Sequence, residues 1–142
     1  MDIHIMRISD AVMHLPERPT YAIRIASPGF DNLHKFPLED SKLYIKIAEY
    51  LFDDADDLFR EPDSVMFDTD IADRMLEDFE LHKDDCESLL VHCSRGRNRS
   101  PAVAIAFNEI FGLGNSKEYL RKKYPEYNRL VYDVLKRVAE QR

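Results

Sequence analysis

The chain of 142 residues is long enough for one compact domain, because domains of soluble proteins usually take about 100 to 200 residues. With 44% hydrophobic residues, 11% aromatic residues and only 4 glycines, the composition supplies a core and excludes collagen-like, low-complexity and fully disordered chains. The net charge of −7 argues against nonspecific binding to nucleic acid or to an anionic membrane. We therefore expect a single domain over residues 1–142.

The predicted elements alternate along the chain between strands and helices. Period-two alternation and short apolar runs predict strands around Ile3 and Ile5 and over residues 21–26, 43–52 and 88–92. Helical spacing of apolar residues, together with turn and capping signals, predicts a short helix capped by Asp10, helices over residues 70–82 and 101–111, a short basic helix capped by Ser116, and a last helix around residues 130–138. This order predicts an α/β fold, a central and mostly parallel sheet with helices on both faces.

The N-terminus and the cysteines bear on the cellular compartment. No stretch approaches the roughly 18 consecutive apolar residues of a membrane span, and the first residues lack the basic start and apolar run of a signal peptide. Cys86 and Cys93 are too few for a disulfide framework and do not have the spacing of a metal-ligand pair. We therefore expect a cytoplasmic protein with at least one free thiol, no membrane partner, no metal and no cofactor.

The charge is distributed unevenly along the chain. Residues 49–91 carry 16 acidic and 3 basic groups, whereas residues 92–142 carry 11 basic and 5 acidic groups. An acidic middle followed by a basic C-terminal third predicts an electropositive surface that an anionic ligand can use. Two solvated faces of opposite sign explain the same pattern, and composition alone favours that second interpretation.

The segment that indicates chemistry is the loop between the strand at residues 88–92 and the helix at residues 101–111. Its sequence, with the flanking residues, is Leu-Val-His-Cys-Ser-Arg-Gly-Arg-Asn-Arg-Ser-Pro. A cysteine at a strand end that faces backbone N–H groups and a helix N-terminus is held as a thiolate, which is a nucleophile at neutral pH. The N–H groups from Ser94 to Arg99 form a nest of the size of a phosphate, and Gly96 lets the loop curl. The guanidinium of Arg99 can bind two phosphate oxygens at once.

With these residues in place, His92-Cys93-x5-Arg99-Ser100 resembles the signature of the cysteine-dependent protein tyrosine phosphatases. The Ser-Pro and the Ala-rich helix that follow are most similar to the dual-specificity branch and to small bacterial predicted tyrosine phosphatases. A chance match in a strand-loop-helix context should occur in roughly one in several thousand chains of this size. The resemblance implies the α/β fold of that superfamily and the hydrolysis of phosphomonoesters, with phosphotyrosine proteins as the first substrate to consider.

The resemblance also implies a role for each residue of the motif. Cys93 attacks phosphorus to give a phosphocysteine that water hydrolyses, and Arg99 binds the phosphoryl oxygens. Ser100 donates a hydrogen bond to the departing thiolate, although an ordinary helix cap explains this serine as well. His92 orients the loop. The residues implied in substrate binding, and in binding phosphate or vanadate, are Ser94, Arg95, Gly96, Arg97, Asn98 and Arg99.

In this family an aspartate upstream of the cysteine gives a proton to the leaving group. Four candidates follow the third predicted strand, and they are Asp53, Asp54, Asp56 and Asp57. The first choice is Asp54 and the second is Asp53, while at least three of the four belong to a solvated acidic loop. Asp68 and Asp70 are weaker candidates, because they are typical of caps for the helix that follows.

One residue near the C-terminus has two interpretations. Asn128 resembles the asparagine of a Pro-Asn element in some small bacterial relatives, and a cap for the last helix explains it as well.

Other classes of function also have to be weighed. Rhodanese-like sulfurtransferases and arsenate reductases can carry a cysteine in an anion-binding loop, and a non-catalytic phosphate-binding module is a third class. Arsenate reduction needs a resolving thiol, and Cys86 lies roughly 20 Å from Cys93 along an extended segment. Within the phosphatases, Arg97 stands where phosphoinositide phosphatases carry lysine. The asparagine before the arginine, Asn98, resembles the loop of RNA 5′-phosphatases, and a nucleic-acid partner is expected only for that alternative. The sequence leaves the physiological substrate, the oligomeric state and any role of Cys86 open.

Overall fold

The computed structural model describes residues 1–29 and 32–142. Within these residues four parallel strands form one sheet in the order β1-β4-β2-β3. The strands are β1 (Asp2–Arg7), β2 (Thr20–Ala26), β3 (Tyr44–Leu51) and β4 (Ser88–Cys93). The helices are α1 (Ile8–Ala11), α2 (Asn32–Lys35), α3 (Thr69–His82), α4 (Arg99–Phe111), α5 (Lys117–Lys123) and α6 (Arg129–Glu140), with a 3₁₀ turn at Lys83–Asp85. The α/β fold with flanking helices is confirmed, and every described strand pair is parallel.

The two faces of the sheet are covered unequally. Side chains alternate between the faces of a strand, so Tyr21 and Ile23 of β2 lie in the main core with α3, α4 and α6, whereas Ala22 lies in a smaller cluster on the other side. In that smaller cluster Ala22 packs with Ala11, Leu38 and Leu90. The helices α3, α4 and α6 therefore cover one face of the sheet, while α1 and the segment after α2 cover the other.

The position of each strand in the sheet follows from its sequence. The central strands β2 and β4 are buried along their whole length, because both have a neighbour on each side and cover on both faces. The edge strand β3 alternates, with Ala48 and Tyr50 buried and Ile47 and Leu51 exposed. All four carboxyl ends meet at one edge, where α/β proteins bind their ligands, and Cys93 ends β4 at that edge.

The helix starts are partly as predicted. Ser116 and Asn128 cap α5 and α6 by accepting the backbone N–H groups of Tyr119 and Val131. Asp68 caps α3 in the same way, but the prediction of a cap at Asp70 is wrong, since Asp70 lies in the first helical turn.

Asp10 is not a cap either. It lies inside α1, at whose start Arg7 makes no side-chain capping bond, and its carboxylate pairs with Arg7 Nε at 3.2 Å. An acidic residue near a helix start becomes a cap only where the backbone in front of the helix is extended at that same residue. Asp68, with φ −129° and ψ 179°, has that backbone.

Among the described helices none has the length and apolar character needed to cross a membrane.

Candidate active site

Cys93 lies at the end of β4, where the chain turns into α4. Its side chain is buried, with 3% of its surface exposed. The Gly96 backbone N–H donates to Cys93 Sγ at 3.2 Å, and Ser100 Oγ lies 3.1 Å from the same sulfur. The sulfur therefore has a backbone N–H donor and a hydroxyl group within hydrogen-bond distance. We refer to residues 93–99 as the Cys93 loop.

Gly96 fixes the curvature of the Cys93 loop. Its φ of +70° lies in the left-handed region that favours glycine. A Cβ atom built on Gly96 would lie 2.7 Å from the backbone nitrogen of Arg7 and 2.8 Å from the carbonyl carbon of Met6. Glycine therefore lets the loop pack directly against the end of β1, with its N–H turned to the sulfur.

Arg99 is the first residue of α4 and is 6% exposed. Its Nη1 donates to the carbonyl oxygen of Phe52 at 2.7 Å and to Ser27 Oγ at 3.1 Å. These partners follow β3 and β2, so two neighbouring strand ends hold the guanidinium in place. Arg99 lines a cavity of about 300 Å³ together with Cys93, Ser94, Arg95, Asn98 and Asp54.

Ser100 lies inside α4 and does not cap it. The N-cap position belongs to Asn98, and it has no side-chain capping bond. The interpretation of Ser100 as an ordinary helix cap is therefore wrong, and the helix begins two residues earlier than the predicted start at Pro101. The Ser100 side chain is fully buried, and its Oγ lies 3.1 Å from Cys93 Sγ.

His92 is fully buried in β4 and accepts a hydrogen bond from Arg24 Nε at its Nε2, at 2.8 Å. Because Arg24 can only donate, the imidazole proton lies on Nδ1. Burial, and next the positive charge of Arg24, lower the pKa of His92 to about 4, so the ring is neutral near pH 7. The structure therefore gives His92 a fixed tautomer and a fixed orientation next to Cys93.

Arg24 is a site residue that the sequence interpretation missed. It is 3% exposed, and besides His92 it contacts the carbonyl oxygen of Leu33 at 3.1 Å and a carboxylate oxygen of Glu49 at 3.7 Å. The signal in the sequence is an arginine within the apolar run Tyr-Ala-Ile-Arg-Ile-Ala. A charged residue in a buried strand has a partner, and here that partner lies beside the cysteine.

The four candidate aspartates lie in the segment that we call the 53–65 loop. Asp53 closes its base, because the Val65 N–H donates to its carboxylate at 2.7 Å and its own N–H donates to the Val65 carbonyl at 2.8 Å. The carboxylate of Asp56 accepts the backbone N–H groups of Leu58 and Phe59 at 2.8 and 2.7 Å. Both carboxylates thus have structural partners within the loop.

Asp54 is the member of this run that the structure brings to Cys93. It is exposed and lines the same cavity, while Asp57 is exposed elsewhere in the loop. Asp68 is occupied as the cap of α3, and Asp70 lies on the exposed side of that helix.

Asn128 connects the 53–65 loop to the last helix. Its Nδ2 donates to Asp54 Oδ1 and to the Ala55 carbonyl, both at 3.1 Å, while its Oδ1 accepts the Val131 N–H at 3.1 Å. Its backbone N–H donates to the Asn98 carbonyl at 2.9 Å. The interpretation of Asn128 as the cap of α6 is confirmed, and the same side chain also contacts Asp54, while the resemblance to a Pro-Asn element stays a prediction.

The remaining residues of the Cys93 loop differ in exposure. Ser94, Arg95 and Arg97 are exposed, and Asn98 is half-buried. Asn98 Nδ2 donates to the Glu126 carbonyl at 2.8 Å, so this side chain ties the loop to the C-terminal part of the chain.

The other cysteine lies apart from the site. Cys86 is buried and precedes β4, at the end of the strand opposite to Cys93, and neither thiol forms a disulfide. Burial, and next the charge of Asp85, raise the pKa of the Cys86 thiol. Within residues 1–29 and 32–142, no group of three or more His, Cys, Asp or Glu side chains has the arrangement of a metal site.

Comparison with known proteins shows which solved structures have a similar fold. No family model and no curated relative matches the chain. The chain is similar to the crystal structure of Tk-PTP in the active form, with a TM-score of 0.56, 17% identity, and coverage of 100% of this chain and 94% of that one. It is also similar to the crystal structure of PTPMT1, with a TM-score of 0.58, 12% identity, and coverage of 99% and 90%. The chain therefore shares its fold with these two structures, and the fold that the motif predicted is confirmed.

Proposed function

We propose that the chain is a phosphomonoester hydrolase that forms a phosphocysteine intermediate on Cys93. One observation carries the proposal, namely the surroundings of the sulfur. Cys93 Sγ has the Gly96 N–H at 3.2 Å and the Ser100 hydroxyl at 3.1 Å, in a cavity that Arg99 and Asp54 also line. A nucleophile, an anion receptor and a proton donor then share one cavity. The fold shared with Tk-PTP and PTPMT1 supports the same conclusion.

In the first step the phosphate of the substrate binds in the Cys93 loop. The bonds of Arg99 to Phe52 and Ser27 both use Nη1. Within the described residues Nε and Nη2 have no hydrogen-bond partner, so they remain for two phosphoryl oxygens. Cys93 Sγ attacks phosphorus, the bond to the ester oxygen breaks, and Asp54 gives its proton to that oxygen. The products of this step are an alcohol or phenol, the phosphocysteine and the Asp54 carboxylate.

In the second step water attacks the phosphocysteine. Asp54 takes a proton from the attacking water, inorganic phosphate forms, and the sulfur leaves as a thiolate. Ser100 donates a hydrogen bond to the thiolate as it leaves. His92, held by Arg24, positions the loop and takes no proton from the substrate. The phosphate-binding set consists of Ser94, Arg95, Gly96, Arg97, Asn98 and Arg99.

We infer a phosphorylated protein, with phosphotyrosine first, as the substrate class. The exposed Leu58 and Phe59 lie in the same acidic 53–65 loop as Asp54. Carboxylates on one side of the cavity disfavour a polyanion, whereas an apolar tip favours a polypeptide. This observation ranks phosphotyrosine protein above phosphoinositide and RNA 5′-phosphate, which remain the alternatives within the superfamily.

Three alternatives outside the phosphatases have less support. An arsenate reductase needs a resolving thiol near Cys93, and Cys86 lies at the far end of β4. A rhodanese-like sulfurtransferase does not need a proton donor such as Asp54 beside the sulfur. A non-catalytic phosphate-binding module does not need a nucleophile.

The first test is the hydrolysis of p-nitrophenyl phosphate. We expect turnover that persists in excess chelator, because the cysteine mechanism uses no metal. Cys93→Ser should lose turnover, since an alcohol is a weak nucleophile at neutral pH, while phosphate or vanadate still binds. Substantial turnover in Cys93→Ser, or a requirement for an added divalent metal, would show that the cysteine mechanism is wrong.

The second test addresses Arg99. We expect Arg99→Lys to lower kcat by about 10²- to 10³-fold, because an ammonium cannot reproduce two parallel hydrogen bonds to the phosphoryl oxygens. Arg137→Lys, the same exchange at an exposed residue of α6, serves as the control and should keep the wild-type kcat. Near wild-type rates in Arg99→Lys would remove Arg99 from the transition state.

A further inference from the structure

Two histidines form a pair at the end of the sheet opposite to Cys93. His4 lies in β1 and His14 follows α1, and the centroids of their rings are 5.3 Å apart. Both side chains line a cavity of about 380 Å³ that is also lined by the first residues of β1, β2 and β4. This cavity therefore lies at the amino ends of the strands, whereas Cys93 lies at their carboxyl ends. We call it the His4 cavity.

The backbone fixes how the two rings approach each other. His4 is in the interior of β1, where it is paired with Leu90 of β4. The turn that carries His14 is closed by its own N–H, which donates to the carbonyl oxygen of Ala11 at 3.2 Å. Ala11 and Pro16, on either side of this histidine in the sequence, are both buried. The fold itself therefore brings the two rings together.

The ring nitrogens of the pair are available to a ligand. In the part of the chain that the structure describes, the histidine rings with hydrogen bonds are those of His82 and His92, and neither ring of the pair has one. Both His4 and His14 are half-buried. Because a neutral imidazole has one nitrogen with a free lone pair, each ring offers the group that most often binds transition metals in proteins.

The separation of the rings suits a shared metal ion. A tetrahedral Zn²⁺ binds imidazole nitrogens at about 2.0–2.1 Å, which places the centroids of two ligating rings about 5 Å apart. The observed centroids are 5.3 Å apart, with an angle of 43° between the ring planes. Two aromatic rings in contact without a metal have similar distances, so the experiment has to distinguish the two arrangements.

The charge of the His4 cavity favours a cation. Its lining includes the carboxylates of Asp2 and Glu17 and the guanidinium of Arg18. Arg18 Nη1 lies 3.5 Å from the carboxylate of Asp2, whereas Glu17 makes no ion pair with any described residue. A free carboxylate beside two neutral imidazoles attracts a positive ion.

The ligand atoms select the class of ion. Imidazole suits Zn²⁺, Cu²⁺ and Ni²⁺, whereas Mg²⁺ and Ca²⁺ prefer oxygen ligands. Among the described residues no third His, Cys, Asp or Glu side chain is placed to join the pair around one ion. Water would therefore fill the remaining positions, and the carboxylate of Glu17 can accept a hydrogen bond from such a water.

We propose that His4 and His14 together bind one transition-metal ion of the Zn²⁺ class, with water completing its coordination. The ion links β1 to the segment between α1 and β2 and stabilises the amino end of the sheet. The site is separate from the reaction at Cys93, and the proposal does not depend on the phosphatase activity proposed above.

The test is a calorimetric titration with ZnCl₂ of the full chain carrying Cys93→Ser, in which no thiolate of the Cys93 loop competes for the metal. We expect one Zn²⁺ per chain. Loss of a group that only supports a metal ligand weakens binding about 10- to 100-fold, so loss of a ligand in His4→Gln or His14→Gln should weaken it at least about 10-fold. His34→Gln, at an exposed residue of α2 outside the cavity, should retain the affinity, and excess MgCl₂ should not compete.

A second measurement leaves both histidines in place. Substoichiometric Cu²⁺ should broaden the ring proton NMR signals of His4 and His14 more than those of His34 and His82, because a paramagnetic ion relaxes the nuclei nearest to it. ZnCl₂ should also raise the Tm of the chain, since an ion that binds only the folded state stabilises it, and it should not raise the Tm of the double variant of His4→Gln with His14→Gln.

The other results would overturn the proposal at different points. A Zn²⁺ affinity that neither variant changes, or equal broadening at His34 and His82, would reject the site and leave the pair as a contact between two rings. An effect of one variant alone would reject shared ligation. Competition by Mg²⁺ at concentrations similar to Zn²⁺ would reject the class of ion. The turnover of p-nitrophenyl phosphate is measured separately, and its presence or absence bears only on the proposed function.

Discussion

The Cys93 loop and the 53–65 loop meet at one cavity but are held in different ways. The Cys93 loop packs against the backbone of β1 at Gly96 and is anchored by the buried Arg99. The 53–65 loop is closed by the pairing of Asp53 with Val65, and the tip between them is exposed, with Phe59 at 76%. One loop is part of the core, and the other is attached to it at its base.

In the proposed mechanism this difference matches the chemical demands on the two loops. A nucleophile and an anion receptor must keep their geometry, because misplacement of reacting atoms by about 1 Å can reduce the rate about 10²-fold. A proton donor must instead meet leaving groups of several shapes, and an exposed loop can adapt to them. Asn128, which contacts Asp54 and the Ala55 carbonyl, connects the 53–65 loop to the start of α6.

The largest expected effect distinguishes the proton donor from the other carboxylates of its loop. Asp54→Asn should lower kcat on a phosphotyrosine peptide by about 10²- to 10⁴-fold, because the tyrosyl oxygen cannot depart easily without a proton. Activated aryl phosphates should suffer less, and the decline of kcat at high pH should disappear. Steady-state kinetics over pH with both kinds of substrate provide the measurement.

The other aspartates of the loop supply matched controls. Asp57→Asn changes an exposed residue and should keep wild-type kinetics. Asp53→Asn and Asp56→Asn replace a charged acceptor of backbone N–H groups by a neutral and weaker one, so they should act on loop stability. A pH profile unchanged in Asp54→Asn but flattened in one of these three would move the role to that residue. Four unchanged profiles would place the acid outside the run.

Much of the fold follows from local patterns in the sequence. Apolar periodicity is enough to predict the sheet and the long helices, because each element buries one continuous face or run of side chains. The Cys93 loop is equally local, since its cysteine, glycine and arginine all lie within residues 93–99.

Local patterns do not predict contacts between residues that are far apart in the sequence. Arg24 reaches His92 over a separation of 68 residues, because β2 and β4 become neighbours only in the folded sheet. The choice among four adjacent aspartates likewise depends on Asn128, which is 74 residues from Asp54. The wrong caps at Asp10 and Asp70 have a similar cause, since backbone conformation and not residue type decides which acidic residue caps a helix.

The next prediction concerns the fixed loop and its pH dependence. His92 has a pKa of about 4 in the folded chain and an ordinary value of 6.5. Between pH 6.5 and 4 the unfolded chain therefore binds more protons, and stability must fall as the pH falls. At about 1.4 kcal/mol per pKa unit, His92 should contribute a loss of about 3 kcal/mol over this range.

Urea unfolding of wild type and His92→Gln at a series of pH values between 7 and 4 provides the measurement. His92→Gln should be less stable at pH 7, because it changes the partner of Arg24, but its free energy of unfolding should fall less steeply with acid. Equal slopes in the two proteins would mean that His92 takes up its proton without cost, and that the Arg24 contact does not hold a neutral ring.

The smallest expected effect tests the connection between the two loops. Asn128→Ser keeps an oxygen that can cap α6 at the Val131 N–H but removes the amide that donates to Asp54 and Ala55. Asn128→Ala removes both. Because an N-cap contributes about 1 kcal/mol, the alanine variant should be less stable than the serine variant by about that amount in urea unfolding.

For the same two variants, the expected change in kcat differs from the expected change in stability. Both variants lose the hydrogen bond to Asp54, and a bond of this kind contributes about 0.5 to 1.5 kcal/mol. We therefore expect kcat on a phosphotyrosine peptide to fall by about 2- to 10-fold in both, with a smaller change on an activated aryl phosphate that does not depend on the acid. If Asn128→Ser has wild-type kinetics and Asn128→Ala does not, the asparagine acts on the reaction only by capping α6. If both lose activity equally while only the alanine variant loses the stability of the cap, the amide of Asn128 positions the proton donor.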